Sequence, residues 1–222
     1  MDFGNMIGES FGYAKEGLVG KWMKWILLLI ATILLTLPLM GYTLRILRGE
    51  KPSPEVENWG TLFIDGIKYL IIGIIYAIPL FIIAFLTLAP LVMEAMAAGG
   101  NPAAVNSIAM GAVGTFLLGL VIFFIAAIII GLFANIGIVR FARTGSMGEA
   151  FNFGAILATI AKIGWVNYII ALIIMGIIFG VVEMICALIP MVGTLILFII
   201  IPFLTMFQAR YLCQIYDSAG PA

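Results

Sequence analysis

Long apolar runs separated by short polar connectors dominate the chain. Four of them, at roughly 67–93, 108–139, 165–188 and 191–208, each hold the ~20 apolar residues that a helix needs to cross a bilayer. A fifth, 22–47, is also apolar but passes through Thr36-Leu37-Pro38. Continuous runs of this length suit lipid-facing helices, not the alternating pattern of a barrel strand. The expected fold is all-α: a polytopic helical membrane protein with four full transmembrane helices. The segment 22–47 adds an N-terminal re-entrant hairpin or a fifth span.

The connectors carry their own signals. Between 94 and 107 the run Ala-Ala-Gly-Gly-Asn-Pro predicts a turn, with Asn101 as an N-cap and Pro102 as the first helical residue. Ile189-Pro190-Met191-Val192-Gly193 predicts a tight reversal. Residues 140–162 and the first 21 residues are half apolar and predict amphipathic helices lying in the interface.

A weak repeat runs through these elements. Glu9, Glu57 and Glu149 each stand two residues before an aromatic, and Lys21, Lys68 and Lys162 follow. Each long apolar stretch then ends in arginine, at Arg45 and Arg48, Arg140 and Arg143, and Arg210. The implied unit is connector helix, helix out, turn, helix back, arginine. It divides a single domain, 1–222, into pseudo-repeats over about 1–50, 55–143 and 147–213.

Charge bears on the first unit. If 22–47 crosses once, Lys15, Lys21 and Lys24 fall on the opposite side from the other basic residues. If it is a hairpin, all eleven fall on one face, which the positive-inside rule makes cytoplasmic. In both cases the loops after Arg48 and Arg143 and the C-terminus are expected in the cytoplasm of a cell whose plasma membrane holds the protein. A span of 26 residues is also an ordinary length for one crossing, so both topologies stay open.

Composition narrows the chemistry. The chain is 64% hydrophobic and 10% charged, well below the charge of a soluble domain. Its 11 basic and 11 acidic residues balance, so no basic patch for nucleic acid is expected. There is no histidine, which removes Ser/His/Asp and Cys/His nucleophile systems and histidine metal sites. Cys186 and Cys213 fall near opposite membrane faces, so no disulfide is expected. A cleaved leader is not expected either, because the first apolar run continues into Gly41-Tyr42 without a small-x-small site.

One stretch is distinctive: Gly41-Tyr42-Thr43-Leu44-Arg45-Ile46-Leu47-Arg48-Gly49, then Pro54-Glu55-Val56-Glu57-Asn58-Trp59-Gly60-Thr61-Leu62-Phe63-Ile64-Asp65-Gly66-Ile67-Lys68. It resembles the DUF4013 family, prokaryotic and largely archaeal membrane proteins without an assigned function. That pattern has Leu-Pro-Glu-Phe where this chain has Ser53-Pro54-Glu55-Val56, and leucine at Ile67. Gly148-Glu149-Ala150-Phe151 is similar to a later motif of the family. The resemblance implies a membrane fold and brings no catalytic residues or cofactor.

The polar positions that remain each have a structural and a functional reading. Arg45, Arg140 and Arg210 lie at helix C-terminal ends, where cations are favoured, and Glu9, Glu57 and Glu149 are placed to pin the connectors to them. The alternative is a charged site for an anion, a lipid headgroup or a partner. Glu183 stands inside an apolar run and Glu94 at the same end of its own helix. Acids there either reach the outer interface or mark a cation or proton site. Asn135, Asn167 and Gln208 read as interhelical hydrogen-bond formers, and Gly176-Ile177-Ile178-Phe179-Gly180 as a close-packing face inside the bundle or a dimer face. The expectation is a non-enzymatic scaffold, accessory or lipid-organising protein, with a transporter or channel for a small solute as the alternative. Its partners are membrane lipids, with a homo-oligomer or another membrane protein open.

Overall fold

The computed structural model describes residues 1–99, 102–190 and 192–220, and side chains outside 102–112. Asn101, the expected N-cap, lies outside the described residues. Among them there is no strand. The helices are α1 (Phe3–Leu18), α2 (Trp22–Ile33), α3 (Leu37–Leu47), α4 (Trp59–Ala97), α5 (Pro102–Thr144), α6 (Phe153–Ile163), α7 (Trp165–Ala187) and α8 (Val192–Asp217), with a 3-10 turn at Met147–Phe151 before α6. Four helices are long and apolar enough to cross a membrane: α4, α5 over Val113–Thr144, α7 and α8. The protein is a polytopic all-helical membrane protein.

The segment 22–47 is a helical hairpin. Its arms have 12 and 11 residues, about 18 and 16 Å at the helical rise, too short for a hydrocarbon core of about 30 Å. The reversal is made by Leu35 and Thr36, both left-handed at φ 56° and 63°, and Pro38 sits in the first turn of α3, where its missing N–H costs nothing. The two ends of the hairpin meet. Lys24, at the start of α2, donates to the Ser53 carbonyl oxygen and hydroxyl at 3.2 and 2.9 Å, just beyond the end of α3. The single-span alternative is thereby set aside.

The described chain forms two compact units. The first holds residues 1–72 and the chain from 135 onward. Its centre is α8, against which α1, α2, α3 and α7 pack. Tyr42, Tyr168 and Tyr211 are the largest side chains fully buried in it. Helices α3 and α4 touch through two glycines. A Cβ on Gly41 would run into the Leu62 carbonyl oxygen, and one on Gly66 into that of Leu37. These reciprocal contacts are one helical turn apart on each helix, so α3 and α4 run antiparallel here.

The second unit holds residues 73–134 of α4 and α5. Gly119 there lies against Thr87, beside a wholly apolar cleft of about 160 Å³ whose walls include Phe116 and Phe123. Phe81, Phe85, Leu86, Phe124 and Ile128 stand exposed on its surface, as lipid-facing side chains do.

Two expectations need correction. The connector before α4 is not a separate helix. Residues 50–58 are irregular, and α4 starts at Trp59 and runs on into the span. Asn58, at φ 55°, turns the chain into that helix, and its carbonyl oxygen accepts from the Thr61 amide at 2.9 Å. Second, the Gly176/Gly180 pair does not pack inside the chain, since a Cβ at either would meet no atom within 4 Å.

Candidate functional site

Charged side chains gather at one end of the first unit, where helix ends meet the connectors. Arg210 is buried on α8. Its guanidinium donates to Glu9 on α1 and lies over the Tyr13 ring, 5.7 Å from the centroid. Glu9 also accepts from Lys51 at 2.6 Å. Hydrogen bonds from Lys51 and from Arg210 hold the Glu9 carboxyl below the ordinary carboxylate range. One turn further along α8, Gln214 donates to the Ser10 hydroxyl at 2.7 Å and the Met6 carbonyl oxygen at 3.0 Å. Tyr13 donates to the Glu50 carbonyl oxygen at 3.0 Å. An amphipathic helix is thus fastened to the end of α8 by polar bonds, its apolar face buried beneath them.

The end of α5 is tied in the same way. Arg140 donates to Glu149, and Asn152 adds a bond to that carboxylate at 3.2 Å. The Arg140 bond, then the Asn152 bond, lowers the Glu149 pKa. Arg143 donates to the Leu47 carbonyl oxygen and to Asp217, both at 2.8 Å. It also lies over the Tyr216 ring, 5.8 Å from the centroid. That one side chain joins the ends of α3, α5 and α8.

The stretch singled out in the sequence forms a third clasp. Arg45 donates to the Glu55 carbonyl oxygen at 3.3 Å and the Thr61 hydroxyl at 2.9 Å. Arg48 pairs with Asp65 at 2.7 Å, which also faces Lys68 at 3.8 Å. Tyr42 donates to the Pro54 carbonyl oxygen at 2.9 Å. With Gly41 and Gly66 at the crossing, Arg45 and Arg48 hold α3 to α4, and Tyr42 holds α3 to the connector between them.

The structure therefore brings Arg140 to Glu149 and Arg210 to Glu9, but not Arg45 to Glu57. Glu57 is exposed and, among the described residues, has no ion pair. Glu94 is exposed in the second unit and Glu183 in the first. Among the described residues, Asn167 does not bond to another span. It donates to Ile163, at the end of α6, at 3.4 Å. Asn135 instead joins Thr43, Tyr69 and Gln208 around a cavity of about 40 Å³ between α3, α4, α5 and α8, room for a few waters. Thr43 and Tyr69 carried no sequence signal. Their polarity so near the charged helix ends is ordinary, and only the packing shows that the four converge. Among the described residues, no group of three or more acids or cysteines is placed to hold a metal.

Comparison with known proteins agrees with this motif. No curated protein and no solved structure matches the chain. The model of a family described as a protein of unknown function, DUF4013, matches residues 25–191. That match takes in the α2–α3 hairpin, the α3–α4 clasp and the Arg140–Glu149 pair, and covers well over half of the sequence, so the chain belongs to the DUF4013 family.

Proposed function

We propose that this protein is a non-enzymatic membrane scaffold or lipid-organising protein. It would sit in the plasma membrane with its basic end, connectors and C-terminus in the cytoplasm. The observation that supports this is how the charged side chains are used. Glu9, Arg48, Asp65, Arg140, Arg143, Glu149, Arg210 and Asp217 are all engaged in holding helix ends and connectors together. Side chains committed to such a collar are not free to relay protons. The collar carries two helices, α1 and α6, at the level of the spans' ends, which suits contact with lipid headgroups. The positive-inside rule supports the orientation, since the basic residues share one face.

A transporter for a small solute is the second reading, and the cavity lined by Thr43, Tyr69, Asn135 and Gln208 favours it. Reconstitution separates the two. The purified protein in proteoliposomes is expected to leave ion and small-solute leak at the level of empty vesicles. A saturable flux that is lost in Asn135→Leu or Glu183→Gln would overturn the scaffold reading.

A further inference from the structure

Another pocket lies in the collar, among α5, α6 and the end of α8, with a volume of about 180 Å³. Its walls include Arg140, Thr159, Lys162 and Tyr216. Helix α6 has three faces. Ile156, Ile160 and Ile163 are buried in the core, while Phe153 and Leu157 are exposed. Ala155, Ala158, Thr159 and Lys162, at helical spacing on one side, line the pocket. Opposite them Ala219 and Gly220 close the wall. The space exists because these residues are small.

Some of the polar groups around that space have spare donors. Lys162 is exposed and, among the described residues, has no ion pair or hydrogen bond. Arg140 uses its NH2 nitrogen for Glu149 and also lines the pocket, so its charge there is shared with that carboxylate. Its Nε is buried without a partner. Thr159 is 8% exposed, and its hydroxyl proton is spent on the Ala155 carbonyl oxygen at 2.9 Å, so it shapes the wall and does not donate into the space. The acids near the pocket are already paired, Glu149 with Arg140 and Asp217 with Arg143. An unpaired lysine, an arginine shared with Glu149 and the Tyr216 hydroxyl around a small-residue cradle suit a tetrahedral oxyanion. Lys162 lies three residues before Trp165, which opens the α7 span and is itself exposed. That is the level of headgroups, where the abundant anion is a phosphate ester.

We propose that this pocket binds a phosphate group, held by Lys162 and Arg140 with Tyr216 as the hydroxyl donor. The site goes beyond the scaffold reading and does not depend on it. Two sources share this chemistry, an anionic phospholipid headgroup and free phosphate.

The test uses the full chain in detergent and in nanodiscs. Lipid retention is read by native mass spectrometry for phosphatidylglycerol against phosphatidylcholine, and inorganic phosphate binding by calorimetry. Lys162→Gln removes an exposed charge and leaves the fold intact. Lys162→Arg restores the charge, and Lys15→Gln is the matched control on an exposed lysine of α1. A phosphatidylglycerol preference that falls about tenfold in Lys162→Gln, returns in Lys162→Arg and is unchanged in Lys15→Gln supports the site with lipid as the source. The same dependence for inorganic phosphate, without a lipid preference, supports the site with free phosphate as the source. No binding of either, or binding that Lys162→Gln leaves unchanged, overturns it.

Discussion

The contact between α3 and α4 makes a quantitative prediction. Gly41 faces the Leu62 carbonyl oxygen and Gly66 faces that of Leu37. These neighbours are backbone, so they cannot rotate out of the way of an added methyl. In Gly41→Ala or Gly66→Ala the helices must separate, with an overpacking cost of typically about 1–3 kcal/mol. Alanine returns part of that, because it is better than glycine in a helix by about 1 kcal/mol. The clash is with fixed backbone, so it wins, and each variant should lose up to about 2 kcal/mol. The double variant should lose less than the sum, since the first methyl already opens the crossing that the second would meet. Gly176→Ala is the internal control. No atom within 4 Å would touch its methyl, so helix propensity alone acts and stability should hold or rise. The assay is equilibrium unfolding in mixed micelles, followed by far-UV circular dichroism. If Gly41→Ala and Gly66→Ala are as stable as the parent, the close crossing does not exist as described.

Other consequences follow from the collar and the hairpin. Glu9 and Glu149 both have lowered pKa values. Their contribution to stability is therefore complete above the unfolded carboxylate value of 4.5 and is lost as pH falls through the lower folded values. Thermal melts between pH 7 and pH 3 should show that loss, and a Glu9→Gln/Glu149→Gln double variant should show a smaller one. Glu9 is 40% exposed, so solvent screens its pairs and Glu9→Gln alone should cost only about 1 kcal/mol in mixed-micelle unfolding. Leu35 is left-handed and exposed. Leu35→Gly should therefore be neutral or stabilising by up to about 1 kcal/mol, whereas a clear loss of stability would mean that the turn is not built this way. Trp25 donates from its indole N–H to the Ile199 carbonyl oxygen at 2.8 Å. Trp25→Phe should cost about 1 kcal/mol, detected as earlier unfolding with α2 loosened from α8.

The spans were legible because lipid demands long continuous apolar runs, and those runs have little other meaning in a sequence. Their ends were less so. Helix α8 continues past the apolar run through Arg210 to Asp217, since a helix stops where its capping residues say and not where its hydrophobicity does. The α2–α3 reversal has no glycine, and its two left-handed residues are Leu35 and Thr36. Only Pro38 and the charge distribution pointed to it. Two of the three expected glutamate–arginine pairs form because α1 and the turn before α6 return their acids to a helix end. The third fails because the chain before α4 is extended, which presents the Glu55 carbonyl oxygen and Thr61 to Arg45 in place of Glu57. The Arg143 contacts with Leu47 and Asp217 join residues 96 and 74 positions apart, and no local pattern encodes them. The same holds for the convergence of Thr43, Tyr69, Asn135 and Gln208 on one cavity.

The central claim is that residues 22–47 leave and return at the same face, so that α1 and the end of α8 lie together. Asn5 and Ser218 are both exposed, and both native cysteines are buried. With Cys186 and Cys213 replaced by alanine, a single cysteine is placed at Asn5 or at Ser218, and intact cells are treated with an impermeant thiol reagent. Equal protection of the two positions, with equal labelling after permeabilisation, is the predicted result. Labelling of Asn5 from outside while Ser218 stays protected would contradict the hairpin and make 22–47 a fifth span.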